Sequence, residues 1–136
     1  MKKIISIVLC AIFVLTMFTS CKDDNPSVEY ITIKGEQYST TLTDLRLYEM
    51  DLQDEDIVPL QYMINLAWLD LSKNQIGDIS ALSGLTNLTW LNLSYNQIDD
   101  INALSGLTNL TYLDLTGNPI IDWSPVSHIE DVGGRP

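Results

Sequence analysis

Residues 66–87 read LAWLDLSKNQIGDISALSGLTN, and residues 88–109 repeat that stretch as LTWLNLSYNQIDDINALSGLTN. The two copies differ at only five positions: Ala67/Thr89, Asp70/Asn92, Lys73/Tyr95, Gly77/Asp99 and Ser80/Asn102. A third copy, residues 110–131, keeps the leucines of its first half, and residues 42–65 are an earlier version that is two residues longer. Near-identity at a period of 22 residues indicates one structural unit, stacked four times along the chain.

The spacing of apolar residues changes within each copy. Leu69 and Leu71 flank one polar residue, and this alternation predicts a short strand whose leucines point inward. In the first repeat, Leu42, Leu45 and Leu47 are predicted to hold the same frame. Further along each copy the aliphatic residues recur at every third position, which favours 3₁₀ turns because side chains at i and i+3 eclipse there. In residues 66–87 these are Ile76, Ile79, Leu82 and Leu85.

The spacing L-x-x-L-x-L-x-x-N at this period is typical of leucine-rich repeats. The predicted fold class is an α/β-type repeat solenoid, with parallel β-strands on the concave face and short 3₁₀ or irregular turns on the convex face. Asn74, Asn96 and Asn118 recur at the turn of successive coils. They are predicted to form a structural ladder, with amide hydrogen bonds to the backbone of their own and adjacent coils. Met50 takes this position in the first coil.

Both ends of the repeat array are predicted to be capped, because a solenoid exposes core at its ends. Residues 28–34 alternate in polarity, residues 35–37 are predicted to turn, and residues 38–41 are predicted to return antiparallel, so that residues 28–41 form a hairpin covering the first coil. Trp123 takes the place of an isoleucine in the last repeat, where a larger ring suits an end without a neighbour. Residues 132–136 then form the C-terminal end, where the periodicity stops.

The N-terminus has the layout of an export signal. Lys2 and Lys3 precede an apolar run, residues 4–18, which is too short for a transmembrane helix of about 20 residues. Residues 18–21, FTSC, resemble the lipobox of bacterial lipoproteins, although Phe18 departs from the usual leucine. The resemblance implies removal of residues 1–20, lipidation of Cys21 and a tether over residues 21–27. A plain secretory signal and a retained anchor are the alternatives. Residues 22–24, KDD, resemble a surface-export signal of Bacteroidetes lipoproteins, which implies display at the outer cell surface.

Charge and composition exclude several function classes. The net charge is −11, and removal of residues 1–20 takes away two lysines and no acid, which leaves 5 − 18 = −13. Such a surface repels nucleic acid and anionic lipid headgroups, so membrane attachment is expected through the acyl anchor alone. Cys21 would be the only cysteine left, which excludes a disulfide or a thiolate metal site. We expect a monomer.

The sequence shows no catalytic site and calls for no cofactor or metal. No nucleophile–base pair or phosphate-binding loop is visible, and His128 is the only histidine. The acids of residues 53–56, QDED, could in principle ligate calcium, but they lack the glycine and the spaced acids of a calcium loop. An N-cap and an acidic first helical turn are the favoured interpretation.

The predicted ligand-binding surface is the concave face. Stacking the coils places Trp68, Trp90 and Tyr112 in one outward column, below Asp44. A second column contains Arg46, Asp70, Asn92 and Asp114, and a third contains Tyr48, Ser72, Ser94 and Thr116. Tyr95 is added to the predicted site. The rings either only stabilise the sheet or form a binding patch for a protein or a sugar.

The repeat frame in residues 66–109 resembles the internalin-type class of bacterial leucine-rich repeats. Residues 31–35 with 38–40, and residues 122–125 with 134–136, resemble the ends of small internalin-like domains of gut bacteria. The resemblance covers residues 28–136 and implies a curved domain with a non-enzymatic binding role. The alternative is a structural or envelope-assembly lipoprotein that is held in a complex by its repeats.

Overall fold

The computed structural model describes residues 29–136, and these form two β-sheets. Strands β1 (Tyr30–Ile33) and β2 (Glu36–Ser39) pair as an antiparallel hairpin. The predicted signal peptide, the lipidated Cys21 and the tether lie outside the described residues. Within residues 29–136, no helix is long and apolar enough to cross a bilayer.

The second sheet is parallel and has five strands in chain order. Its strands are β3 (Asp44–Arg46), β4 (Trp68–Asp70), β5 (Trp90–Asn92), β6 (Tyr112–Asp114) and β7 (Val132–Gly133). Strands β4 to β6 are 22 residues apart, so equivalent residues pair directly, as Leu69 does with Leu91 and Leu91 with Leu113. The predicted parallel sheet is confirmed.

The return path of each coil is a short 3₁₀ helix, as predicted. These helices span Ser80–Leu82, Asn102–Leu104 and Ser124–Val126. The longer first repeat returns through one α-helical turn, α1 (Asp54–Ile57), followed by a 3₁₀ helix over Val58–Tyr62. The leucines and isoleucines of both halves of each coil meet in one core, in which most side chains are fully buried.

The asparagine side chains link neighbouring coils. Asn74 Nδ2 donates to the carbonyl oxygens of Leu47, one coil earlier, and of Leu71, at 2.8 and 2.9 Å. Its Oδ1 accepts from the backbone N–H groups of Met50 and Leu52, both at 3.0 Å. The amide therefore satisfies backbone polar groups that the turn would otherwise bury without partners.

Asn96 and Asn118 repeat this arrangement one and two coils later. Asn96 Nδ2 donates to Leu71 and Leu93, and Asn118 Nδ2 donates to Leu93 and Leu115. As a result, the carbonyl oxygens of Leu71 and Leu93 each accept from two asparagines.

Two features of the ends differ from the sequence-based expectations. Leu42 was expected in the strand frame, but it is 37% exposed, because it lies on the first coil and no earlier coil covers it. The repeats also end in a strand that periodicity does not predict. Leu113 pairs with Val132, which is 19 residues later rather than 22.

The acids of the first return path support the chain around them. Asp56 accepts from the backbone N–H of Gln53 at 2.9 Å and pairs with Lys34 at 3.0 Å. Asp54 Oδ1 accepts from the backbone N–H groups of Gly77 and Asp78 in the next coil. Asp54 and Asp56 thus hold the hairpin and the second coil against the first.

Candidate ligand-binding face

The three aromatic rings of the first concave column stack on one another. The ring centroids of Trp68 and Trp90 are 4.2 Å apart with planes at 9°, and those of Trp90 and Tyr112 are 5.0 Å apart at 6°. This geometry follows from the register, which pairs Trp68 with Trp90 and Trp90 with Tyr112. We call these three residues the aromatic column.

The stacking leaves the ring edges, rather than the inner ring faces, available to a ligand. All three side chains are partly exposed. The outer face of Trp68 is covered by the Arg46 guanidinium, whose Cζ lies 4.9 Å from the ring centroid. Among residues 29–136, the indole N–H groups of Trp68 and Trp90 have no hydrogen-bond partner. The column therefore presents an apolar edge with two free donors.

The register places Asp44 beside Trp68 and Arg46 beside Asp70, in the predicted columns. The Arg46 side chain also reaches sideways onto Trp68, because a cation over an indole face is attracted by the ring quadrupole. This contact crosses the two columns, so strand alternation alone does not predict it.

The second column is a row of short polar side chains with one fixed oxygen each. Oδ1 of Asp70, Asn92 and Asp114 accepts from the backbone N–H two residues later, at 2.9–3.0 Å. At Asp70 and Asn92 the same oxygen also accepts from a serine hydroxyl. These bonds hold the side chains in place, while the second terminal atom of each has no hydrogen-bond partner among residues 29–136.

The third column is less open than the sequence indicates. Ser72 and Ser94 lie on the concave side, but they are only 8% and 5% exposed, since their hydroxyls turn onto Asp70 and Asn92. Tyr48 belongs to this column and is exposed.

Tyr95 lies in the turn that follows β5, at the rim of the concave face. Its backbone is left-handed, with φ of +56°, and its exposed side chain packs over Gly117. A Cβ at Gly117 would lie 2.8 Å from Tyr95 Cδ1, so the ring depends on a glycine at that position. Neither Tyr48 nor Tyr95 stacks on the aromatic column.

Acidic groups surround the C-terminal end of the aromatic column. Partial burial and the nearby carboxylates of Asp114, Asp131 and Asp70 raise the pKa of the Tyr112 hydroxyl above its usual value. Asp131 was not among the predicted site residues. Its position depends on the offset pairing of β7, which the repeat pattern does not reveal.

A second concavity lies between successive return paths, away from the concave face. It has a volume of about 530 Å³, and its lining includes Asp54, Asp78, Asp99 and Asp100. The pKa of Asp78 is lowered by hydrogen bonds from the backbone N–H and side chain of Ser80, so this acid caps a 3₁₀ helix. Within residues 29–136, no group of three or more acidic, histidine or cysteine side chains is arranged to hold a metal ion.

Comparison with known proteins agrees with this architecture. The leucine-rich repeat family model matches residues 40–98 and 64–120. An internalin (inlF) from Listeria monocytogenes is similar in structure, with 33% sequence identity and a TM-score of 0.65 over 73% of this chain and 31% of that one. Internalin C2 from the same organism shares 30% identity, with a TM-score of 0.58 over 68% of this chain and 50% of that one. No curated protein matches the sequence.

The chain spans 31% of the first internalin and 50% of the second, so the likeness concerns the repeat domain. The matched family segments together cover residues 40–120, which is more than half of the chain. The chain therefore belongs to the leucine-rich repeat family, with repeats of the internalin-like type.

Proposed function

We propose that this protein is a surface-anchored, non-enzymatic binding module that holds a protein partner on its concave face. Export and lipidation at Cys21 would fix the domain to the outer membrane surface, and residues 21–27 would separate it from the bilayer. The anchoring part of the proposal is supported by the lipobox-like sequence, and the binding part by the geometry of the concave face.

The aromatic column is the observation that carries the proposal. Three large rings lie in register on a partly exposed sheet face, and they are bordered by carboxylates and amides that backbone hydrogen bonds hold in place. Aromatic side chains with polar neighbours are the groups that contribute most at protein interfaces. Since little side-chain entropy remains to be lost, such a rigid surface binds at low entropic cost.

The same geometry favours a protein partner over a sugar. Sugars bind aromatic residues by stacking against open ring faces, whereas both faces of Trp90 and the outer face of Trp68 are covered, which leaves only the outer face of Tyr112 open. The exposed edges with free indole N–H groups suit backbone carbonyl groups of a partner chain. A protein ligand is therefore our choice.

A triple variant tests the binding proposal. Replacing Trp68, Trp90 and Tyr112 together with serine should abolish capture of a protein partner from host or envelope extract. The matched control replaces Tyr62 and Ile64, which are exposed on the convex side of the first coil, with serine and should leave capture intact. Circular dichroism and thermal melting confirm that both variants are folded. Capture that survives the triple change would contradict the proposal.

Surface display separates the binding module from an envelope-assembly role. An epitope placed after Pro136 should be labelled on intact cells as strongly as on lysed cells. Labelling only after lysis would contradict display.

Replacing Cys21 with serine should release the protein from the detergent phase, and mass spectrometry should show that the acyl chains are missing.

A further inference from the structure

We propose that the C-terminal end of the aromatic column, at Tyr112, binds the guanidinium group of an arginine from the protein partner. This inference rests on the proposed function and names the side chain that this part of the concave face recognises. At the opposite end of the column, the chain itself supplies such a group.

At the N-terminal end, Arg46 fills a place on the outer face of an aromatic ring. Its guanidinium lies over Trp68, 4.9 Å from the ring centroid. The backbone of Arg46 is the strand partner of Asp70, which is two residues after Trp68, but the guanidinium makes no ion pair with that acid. A planar cation therefore covers the first ring of the column.

At the C-terminal end, an aromatic residue is again followed two positions later by an aspartate, but no cation covers the ring. Asp114 is two residues after Tyr112, as Asp70 is after Trp68. The residue that pairs with Asp114 from the outer strand is Gly133, where Arg46 stands at the other end. A Cβ at Gly133 would lie 2.6 Å from Asp114 Oδ1, so a side chain there would displace the Asp114 carboxylate. Among residues 29–136, no ring or cation stacks on the outer face of Tyr112.

The charges around Tyr112 favour a cation. Strand β7 begins at Val132, which pairs with Leu113. Asp131 comes one residue earlier and therefore lies beside Tyr112, at the end of the column. Two of the basic groups in residues 29–136 are engaged elsewhere, since Lys34 pairs with Asp56 and Arg135 donates to the Val126 carbonyl. The described residues contain 4 basic and 16 acidic side chains, a net charge of −12, which complements a positively charged partner segment.

The geometry selects a guanidinium rather than an ammonium group. A guanidinium is planar and can lie parallel to a ring while its edge donates to carboxylates on either side. Tyr112 supplies the ring, and Asp114 and Asp131 supply the carboxylates. Asp114 keeps Oδ2 free for this contact, because its Oδ1 already accepts from the Thr116 N–H.

N-acetyl-arginine amide is the probe, and the matching citrulline amide is its neutral control. The purified full chain is titrated with each, and the aromatic side-chain resonances are followed by NMR. Arginine amide should shift the Tyr112 ring signals at concentrations where citrulline amide does not. It should leave the Trp68 signals unchanged, because Arg46 already covers that ring.

Three variants sharpen the test. Replacing Asp114 and Asp131 with asparagine should weaken the arginine amide about three- to tenfold, whereas the neighbouring Glu130→Gln should have little effect. The Asp114→Asn change is structurally mild, since Asn92 makes the same backbone contact one coil earlier. Arg46→Ala should open the other end of the column and add a second arginine site, seen as new shifts at Trp68.

The outcomes separate this inference from the proposed function. Equal shifts with arginine and citrulline, or shifts that survive the double asparagine change, would overturn the guanidinium site. The proposed function would still stand if the triple serine variant loses its partner. Capture that survives the triple change would instead overturn the proposed function, whatever the arginine titration shows.

Discussion

The asparagine ladder leads to an unequal prediction for two residues with the same chemistry. Asn74 and Asn96 are buried to a similar degree, 8% and 7% exposed, and occupy equivalent turns. Without Asn96, the carbonyl oxygens of Leu71 and Leu93 keep the amides of Asn74 and Asn118 as donors. Asn96→Ala thus leaves one buried backbone group, the N–H of Ile76, without its partner.

Asn74→Ala leaves more backbone groups without a partner, because the ladder position one coil earlier is occupied by Met50 rather than by another asparagine. The carbonyl oxygen of Leu47 and the N–H groups of Met50 and Leu52 all lose their ladder partner. An unsatisfied buried backbone group costs about 1–3 kcal/mol. We therefore expect Asn74→Ala to lower the free energy of unfolding by at least about 3 kcal/mol, against about 1–3 kcal/mol for Asn96→Ala.

Urea denaturation of the purified variants, followed by circular dichroism, measures both losses. The asparagines act as a connected set, so the ranking of the two losses is the decisive result. Equal losses, or a larger loss for Asn96→Ala, would refute the view that neighbouring asparagines share carbonyl acceptors.

Three further measurements test the fold. Leu91→Ala should cost about 2–5 kcal/mol, because it empties a fully buried site, while Thr89→Ala on the exposed side should cost little; equal losses in urea denaturation would mean that the strand frame is wrong. Lys73 adopts a left-handed backbone with φ of +54°, so Lys73→Gly should gain about 0.5–1 kcal/mol in the same assay, and a loss would argue against strain at this turn. The pKa of Asp56 is lowered by the backbone N–H that begins the helical turn and by the Lys34 ammonium. The folded state then binds this proton less readily than the unfolded state, so stability should hold above about pH 4 and fall below it; Asp56→Asn should flatten this fall, measured as the urea midpoint against pH.

The repeat region was predictable because each level of the sequence indicates the same structure. Alternating leucines predict the strands, a period of three predicts the 3₁₀ helices, and near-identical copies fix the register of the sheet. The repeat pattern alone therefore places Trp68 and Trp90 side by side. The stacking of the whole aromatic column follows from this register.

The remaining features depend on contacts that no local pattern encodes. Strand β7 joins the sheet with an offset of 19 residues, and its close approach to β6 requires Gly133 and Gly134. A Cβ at Gly134 would lie 2.7 Å from the Thr116 backbone. Arg46 could be assigned to the concave face, but its position over Trp68 depends on rotamers and on the attraction of the ring. Leu42 is exposed because its coil is the first of the array, whereas the repeat pattern does not distinguish an end coil from an inner coil.

Oxidative footprinting of the complex with the captured partner tests the central claim most directly. Hydroxyl radicals label exposed aromatic and aliphatic side chains, and mass spectrometry reports the labelling of each residue with and without the partner. The account predicts that the partner protects Trp68, Trp90 and Tyr112, while Tyr62 and Ile121 on the other surfaces stay labelled. Protection of Tyr62 or Ile121, with unchanged labelling of the aromatic column, would contradict it.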